Sequence, residues 1–199
     1  MHAGTATYLT AWAAHHPEGR ALNDEPLLAP LGTTAAWVDA KLGIRERRVA
    51  GPADSPATLG AAALAAACAS AGVDPADLDL LIAASSFDDF DMPAAAARIG
   101  AIAETDAFTF DVRAACSGWL IGVQLASTMV GTGQADAAAV VATEVTTRRV
   151  DPQDRLSVPI FGDAAAATLV SRTRPARGLE VVDTAWRSDN AEHDAVVLP

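Results

Sequence analysis

The stretch that most constrains this chain is Phe110–Ala126, FDVRAACSGWLIGVQLA. An apolar strand runs into two alanines and a cysteine, and an unbroken apolar helix follows. A strand that hands over so abruptly to a helix presents its last side chains at the carboxyl edge of a sheet, where open α/β sheets bind ligands. Cys116 falls at the start of that helix. Unsatisfied first-turn N–H groups and the helix dipole favour negative charge there, which stabilises a thiolate. The same groups can donate to a developing oxyanion, so one position supplies a nucleophile and part of an oxyanion hole. Ala114, Ala115, Ser117 and Gly118 are small and leave room for a substrate carbonyl. The helix is apolar almost all round, which predicts burial at the centre of the domain. Against this stands the simpler reading of Cys116 as a packed core thiol.

Around this corner, strand and helix signals alternate, as in a layered α/β fold. Thr5–Ala13 reads as a first strand, and His15 to about Gly32 as a stretch rich in turn formers. Residues 33–43, TTAAWVDAKLG, read as a short helix with a threonine cap and a terminating glycine. Residues 55–72 carry Ser55 as N-cap, Pro56 in the first turn and Gly72 past the end. Cys68 within that helix reads as a small buried side chain. DLDLLIAASS reads as a strand buried on both faces, MPAAAARIGAIAE as a helix, and AFTFDV and DAAAVVATEV as strands. AAAATLVSR and GLEVVDTAW read as two final strands, expected to be antiparallel neighbours.

With 199 residues, 51% of them hydrophobic, the chain is long enough to bury one sizeable core. Its net charge of −11 offers no general field for nucleic acid. Positive charge is nonetheless clustered in KLGIRERR and at Arg148, Arg149 and Arg155, either as a solvated face or as a dock for phosphates or an acidic carrier. No apolar run reaches bilayer length, and the first residues lack a signal-peptide pattern, so the expectation is a cytoplasmic protein without membrane contact. Neither cysteine sits in a secreted disulfide framework, and no residue spacing points to a metal site.

Three segments, in order, carry a family resemblance: WVDAKLGIRERRVA, FDVRAACSGWLIGVQLA and DPQDRLSVPIFGDAAAATLV. Together they resemble the ketoacyl synthase III branch of the thiolase superfamily, over about Tyr8 to Pro199. The resemblance implies one half of a thiolase-like fold: a mixed five-stranded sheet with a central buried helix following the nucleophilic cysteine. It implies an acyltransferase in which Cys116 takes an acyl group from acyl-CoA or acyl carrier protein. The acyl group then passes to a malonyl thioester by decarboxylative Claisen condensation, in fatty acid or polyketide biosynthesis. Trp37 and Arg155 would hold the adenine of coenzyme A or the mouth of the pantetheine tunnel, with Lys41 nearby. Met92 would reach an acyl pocket across a homodimer. No cofactor or metal is implied. Phe161, Gly162 and Asp163 read as a structural turn, Asp163 bonding backbone N–H groups.

Departures from the family pattern accompany the match. Lys41 stands where an arginine is usual and cannot form a bidentate phosphate clamp. Ala164 replaces a glycine, Met92 an aromatic residue, and Asp88, Asp89 and Asp91 lie just before Met92. These put the usual short-chain acyl substrate in question and keep ester or amide formation open. The family's catalytic His and Asn lie in a second half that the chain does not resemble. His2, His15, His16 and His193 sit in no matching segment, so a C-terminal half or partner chain is expected to supply them and to cover an apolar face. The competing readings are a cysteine hydrolase, which lacks a suitable downstream histidine, and a non-catalytic scaffold subunit, which the retained Cys116 opposes.

Overall fold

The structure is a computed structural model and describes residues 5–192. Strand β1 (Tyr8–His15) is followed by a short strand β2 (Gly19–Leu22), a one-turn helix α1 (Glu25–Leu28) and helix α2 (Ala35–Leu42). Strand β3 (Glu46–Val49) pairs antiparallel with β2 as a separate two-stranded ribbon. This ribbon and α1 occupy sequence that, apart from the turn-rich reading of 15–32, gave no element signal. Then come α3 (Pro56–Ala71), β4 (Leu80–Ala84), α4 (Ala95–Ala103), β5 (Phe108–Val112), α5 (Gly118–Gly131), β6 (Ala137–Glu144), β7 (Ala164–Ser171) and β8 (Leu179–Glu180).

The helix ends obey the capping chemistry read from the sequence. Thr34 accepts from the Trp37 N–H, and Gly43 closes α2 at φ 68°. Ser55 and Thr58 form a reciprocal capping box on α3, which Gly72 closes at φ 65°.

The main sheet is mixed, with order β5-β4-β6-β7-β1-β8. Strand β4 is parallel to β5 and β6, whereas β7 is antiparallel to both β6 and β1. The sheet therefore has six strands rather than the expected five. The sixth is β8, two residues long, and it pairs with β1 rather than with β7. The remainder of GLEVVDTAW is not strand.

Two cores flank the sheet. Leu81, Ala83, Ala139, Val141 and Leu169 point to one face and pack under α3 and α4. Leu80, Ile82, Ala138, Val140 and Val170 point to the other and pack under Val123, Ala126 and Val130 of α5. Both faces of β4 are thus covered, which is why its run is apolar without alternation. Helix α5 lies close on the strands because Gly122 faces them: a Cβ there would come within 2.7 Å of Val140 Cγ1.

Only the sheet-facing side of α5 is buried, which corrects the expectation of a fully enclosed helix. Leu120 is 55% exposed, and Leu125, Val182 and Trp186 also lie open. An apolar sequence on every side of a helix calls for cover on every side. The described residues provide it on one side only.

Candidate active site at the carboxyl edge of the sheet

The parallel strands β4, β5 and β6 end side by side, with Ala84 in register with both Val112 and Ala142. Cys116 sits at this edge. After β5 the chain passes Arg113 and Ala114 into a single 3-10 turn, Ala115–Ser117, and α5 begins at Gly118. Ala115 takes φ 44°, a left-handed conformation that costs a non-glycine residue free energy and is common beside functional groups. Gly118 permits the turn to sit on β4, since a Cβ there would lie 3.2 Å from that of Ala84. The outcome is an exposed Cys116, in contrast to the buried Cys68, whose thiol burial pushes up to about 11. The packed-thiol reading therefore holds for Cys68 and not for Cys116.

The turn refines the expected oxyanion chemistry. The Ser117 N–H closes on the Ala114 carbonyl at 3.0 Å, and the Gly118 N–H on that of Ala115. Those two donors are occupied. The Cys116 N–H makes no hydrogen bond to a protein group among the described residues, which leaves it able to donate to an oxygen at the thiol.

Beside the corner lies a cavity of about 420 Å³ lined by Ser85, Ser86, Phe87, Asp88, Phe90, Asp91, Asp111, Arg113 and Arg149. Its carboxylates are mostly committed. Asp111 accepts from the Ala95 and Ala96 N–H groups at 2.8 Å each, capping α4 from the neighbouring strand. Asp88 pairs with Arg98 at 2.7 Å, and Asp89 lies within ion-pair reach of both Arg98 and Arg148. Asp88 and Asp89 thus form a linked charge network with Arg98 and Arg148, which Asp91 does not join among the described residues. Glu144, the last residue of β6, lies behind the cavity wall. Its Oε1 accepts from the Ser86 N–H at 2.5 Å, while its Oε2 is buried with no partner. Burial raises its pKa, against the hydrogen bonds from Ser86 and Phe87 and the charge of Arg113.

Trp37 and Arg155, distant in sequence, meet as expected. With Gly32, Thr33 and Thr34 they line a groove of about 260 Å³. Trp37 is 42% exposed, and Arg155 has no carboxylate oxygen within 4 Å among the described residues. Lys41 lies one turn beyond Trp37 on α2, exposed and outside the groove lining. Met92 is 84% exposed and is not among the residues lining the cavity beside the corner. His2 and His193 lie outside the described residues.

The basic run around Arg45 divides between surface and interior, with Lys41 and Arg45 exposed and Arg47 buried. Arg45 pairs with Asp39 at 2.9 Å. Arg47 is buried, donating to Asn23 Oδ1 and the Phe161 carbonyl, and Arg48 donates to the Pro17 carbonyl. Asp163 is structural as read: it is 1% exposed and accepts from the Ala50 N–H, the Thr147 N–H and the Thr147 hydroxyl.

Ser85, Ser86, Arg113 and Glu144 escaped the reading of single motifs, whereas Arg149 was read only as part of a basic cluster. A signal was present, because each of the four is a polar residue at or just beyond the end of an apolar strand.

Comparison with known proteins agrees with this geometry. The family model for 3-oxoacyl-[acyl-carrier-protein] synthase III matches residues 110–190. The beta-ketoacyl-[acyl-carrier-protein] synthase III of Symbiobacterium thermophilum is 37% identical over 181 residues, covering 90% of this chain and 54% of that protein. That of Sphingopyxis alaskensis is 39% identical over 156 residues, covering 78% of this chain and 48% of its own length. The crystal structure of 3-oxoacyl-(acyl carrier protein) synthase III from Pseudomonas aeruginosa superposes with a TM-score of 0.89 at 30% identity, covering 98% of this chain and 60% of that one. A priming beta-ketosynthase from the R1128 polyketide biosynthetic pathway gives a TM-score of 0.81 at 30% identity, covering 86% of this chain and 52% of that one. The chain spans about half the length of the curated relatives it matches. It has the thiolase-like α/β fold and matches the N-terminal half of members of the 3-oxoacyl-[acyl-carrier-protein] synthase III family.

Proposed function

We propose that this chain carries the acyl-loading half of a ketoacyl synthase III-type condensing enzyme. The observation that supports it most is the exposed Cys116, held on a left-handed alanine at the sheet's carboxyl edge and at the start of α5. The thiolate attacks the carbonyl of an acyl-CoA or acyl carrier protein thioester, with the Cys116 N–H donating to the oxyanion. A sulfur–carbon bond to Cys116 forms, and the carbon–sulfur bond to pantetheine breaks. Pantetheine leaves as a thiolate and takes up the proton that Cys116 gave. In the second half-reaction a malonyl thioester loses carbon dioxide, and its carbon attacks the acyl group, returning Cys116 as a thiolate.

Trp37 and Arg155 would grip the nucleotide end of coenzyme A by stacking and cation–π contact. The rest of the fold, from a C-terminal half or a partner chain, would supply the His and Asn of the second step and cover Leu120 and Leu125. Two copies would join along the free edge of β5, where Phe108 is exposed, and bring Met92 of one copy to the acyl pocket of the other.

The test is intact-mass spectrometry of the full protein after incubation with acyl-CoA. A covalent acyl adduct that Cys116→Ala abolishes is the expected result. Hydrolysis of simple esters without an adduct, or no adduct with any donor, would overturn the reading.

A further inference from the structure

The residue three before the nucleophile is an arginine, and it lines a cavity at the same carboxyl edge of the sheet, although Cys116 itself is not part of that lining. Arg113 makes no ion pair and no side-chain hydrogen bond among the described residues. Arg149, on the same lining, donates to the Asp88 carbonyl at 2.8 Å and has no carboxylate within 4 Å among the described residues. The acids nearest them are engaged elsewhere: Asp111 by the first N–H groups of α4, Asp88 by Arg98. Of the acids lining the cavity, Asp91 alone makes no hydrogen bond or ion pair with a described residue. Glu144 lies near Arg113, but no oxygen of it comes within 4 Å of the guanidinium, and its Oε1 is taken by the Ser86 N–H. Two guanidiniums therefore face a cavity whose own carboxylates do not satisfy them. Ser85, Ser86, Phe87 and Phe90 complete a lining that is polar at the strand ends and aromatic on the loop.

Resting on the transferase reading above, we propose that Arg113, supported by Arg149, selects short acyl groups whose far end carries a carboxylate. Three residues of extended chain span at most about 10 Å. The path from Arg113 to Cys116 turns through Ala115 and is shorter still. A side chain as long as arginine reaches over that interval to a carboxylate two or three carbons beyond the thioester carbonyl. The planar fork of the guanidinium fits both carboxylate oxygens. Loading proceeds as before: the bond from Cys116 sulfur to the acyl carbon forms, coenzyme A leaves as a thiolate, and the distal carboxylate keeps its charge on Arg113.

The experiment compares Cys116 acylation of the full protein by succinyl-CoA and by butyryl-CoA, followed as adduct mass against time. Succinyl transfer is expected to be about tenfold faster or more, the range of a charge-assisted hydrogen bond. The succinyl-to-butyryl ratio should collapse in Arg113→Leu and recover in part in Arg113→Lys. Butyryl transfer as fast as succinyl in the wild-type protein would overturn the proposal and leave the transferase reading intact, without any variant having to fold. A succinyl preference that Arg113→Leu retains, in a variant whose circular dichroism matches wild type, would also overturn it. No adduct from either thioester would remove both.

Discussion

Asp163 binds three donors from two other parts of the chain, and replacing one of its oxygens should cost measurable stability. Its Oδ2 accepts from the Ala50 N–H at 2.7 Å and the Thr147 hydroxyl at 2.6 Å, and its Oδ1 from the Thr147 N–H at 2.9 Å. These bonds fasten the entry of β7 to the exits of β3 and β6. In Asp163→Asn the amide nitrogen must face a backbone N–H whichever way it is flipped. One charge-assisted bond is lost, and the surviving bonds fall to the strength of neutral ones. With about 1.5–3 kcal/mol for a bond to a charged group and about 1 kcal/mol for a neutral one, the loss is about 2.5–7 kcal/mol. The Thr147 hydroxyl can rotate and so spares part of this; the backbone groups cannot. Equilibrium urea unfolding measures the loss as a shift in midpoint at constant slope. Asp154→Asn, whose bonds to Leu156 and Ser157 lie in an exposed turn, is the control and should shift the midpoint little. A loss below about 1 kcal/mol for Asp163→Asn would refute the claim that this carboxylate secures the three strand ends.

Three other outcomes follow from the same geometry. The raised pKa of Glu144 means that the folded state holds its proton more tightly than the unfolded chain. Its contribution to stability is therefore full below the ordinary glutamate pKa and is lost as pH rises through the folded value. Glu144→Gln should consequently gain stability over wild type as pH rises from 4.5 to 8, read as a widening gap in thermal midpoints; a gap that narrows would contradict it. Trp37→Ala should weaken coenzyme A binding about tenfold or more by calorimetry, the range of one base–aromatic stack, and unchanged affinity would remove Trp37 from the site. Gly122→Val should destabilise by about 1–3 kcal/mol in urea, because its Cβ meets Val140 at 2.7 Å; a neutral result would show that α5 can lift off the sheet.

What could be read along the chain was whatever depends on neighbours in sequence. Ser55, Pro56 and Gly72 marked α3 because caps and left-handed closures are local chemistry. The position of Cys116 was legible for the same reason, since strand, turn and helix follow one another within a few residues. The β2–β3 ribbon was not, because each strand is four residues long and pairs across more than twenty intervening residues. Arg47 looked like part of a basic surface, yet Asn23 and Phe161 enclose it. Charge counted along a sequence says nothing of what will surround it.

The sequence by itself determined the alternation of strands and helices, the boundaries set by caps, and a thiol at the head of an apolar helix. Only the tertiary structure decided the strand order and, between the two readings left open for it, the exposure of Cys116. It alone brought Arg113, Arg149 and Glu144 to one edge. The physical reason is that burial, pairing and charge compensation are properties of space. Residues from β4, β5 and β6 become neighbours there only because parallel pairing aligns the strands' carboxyl ends.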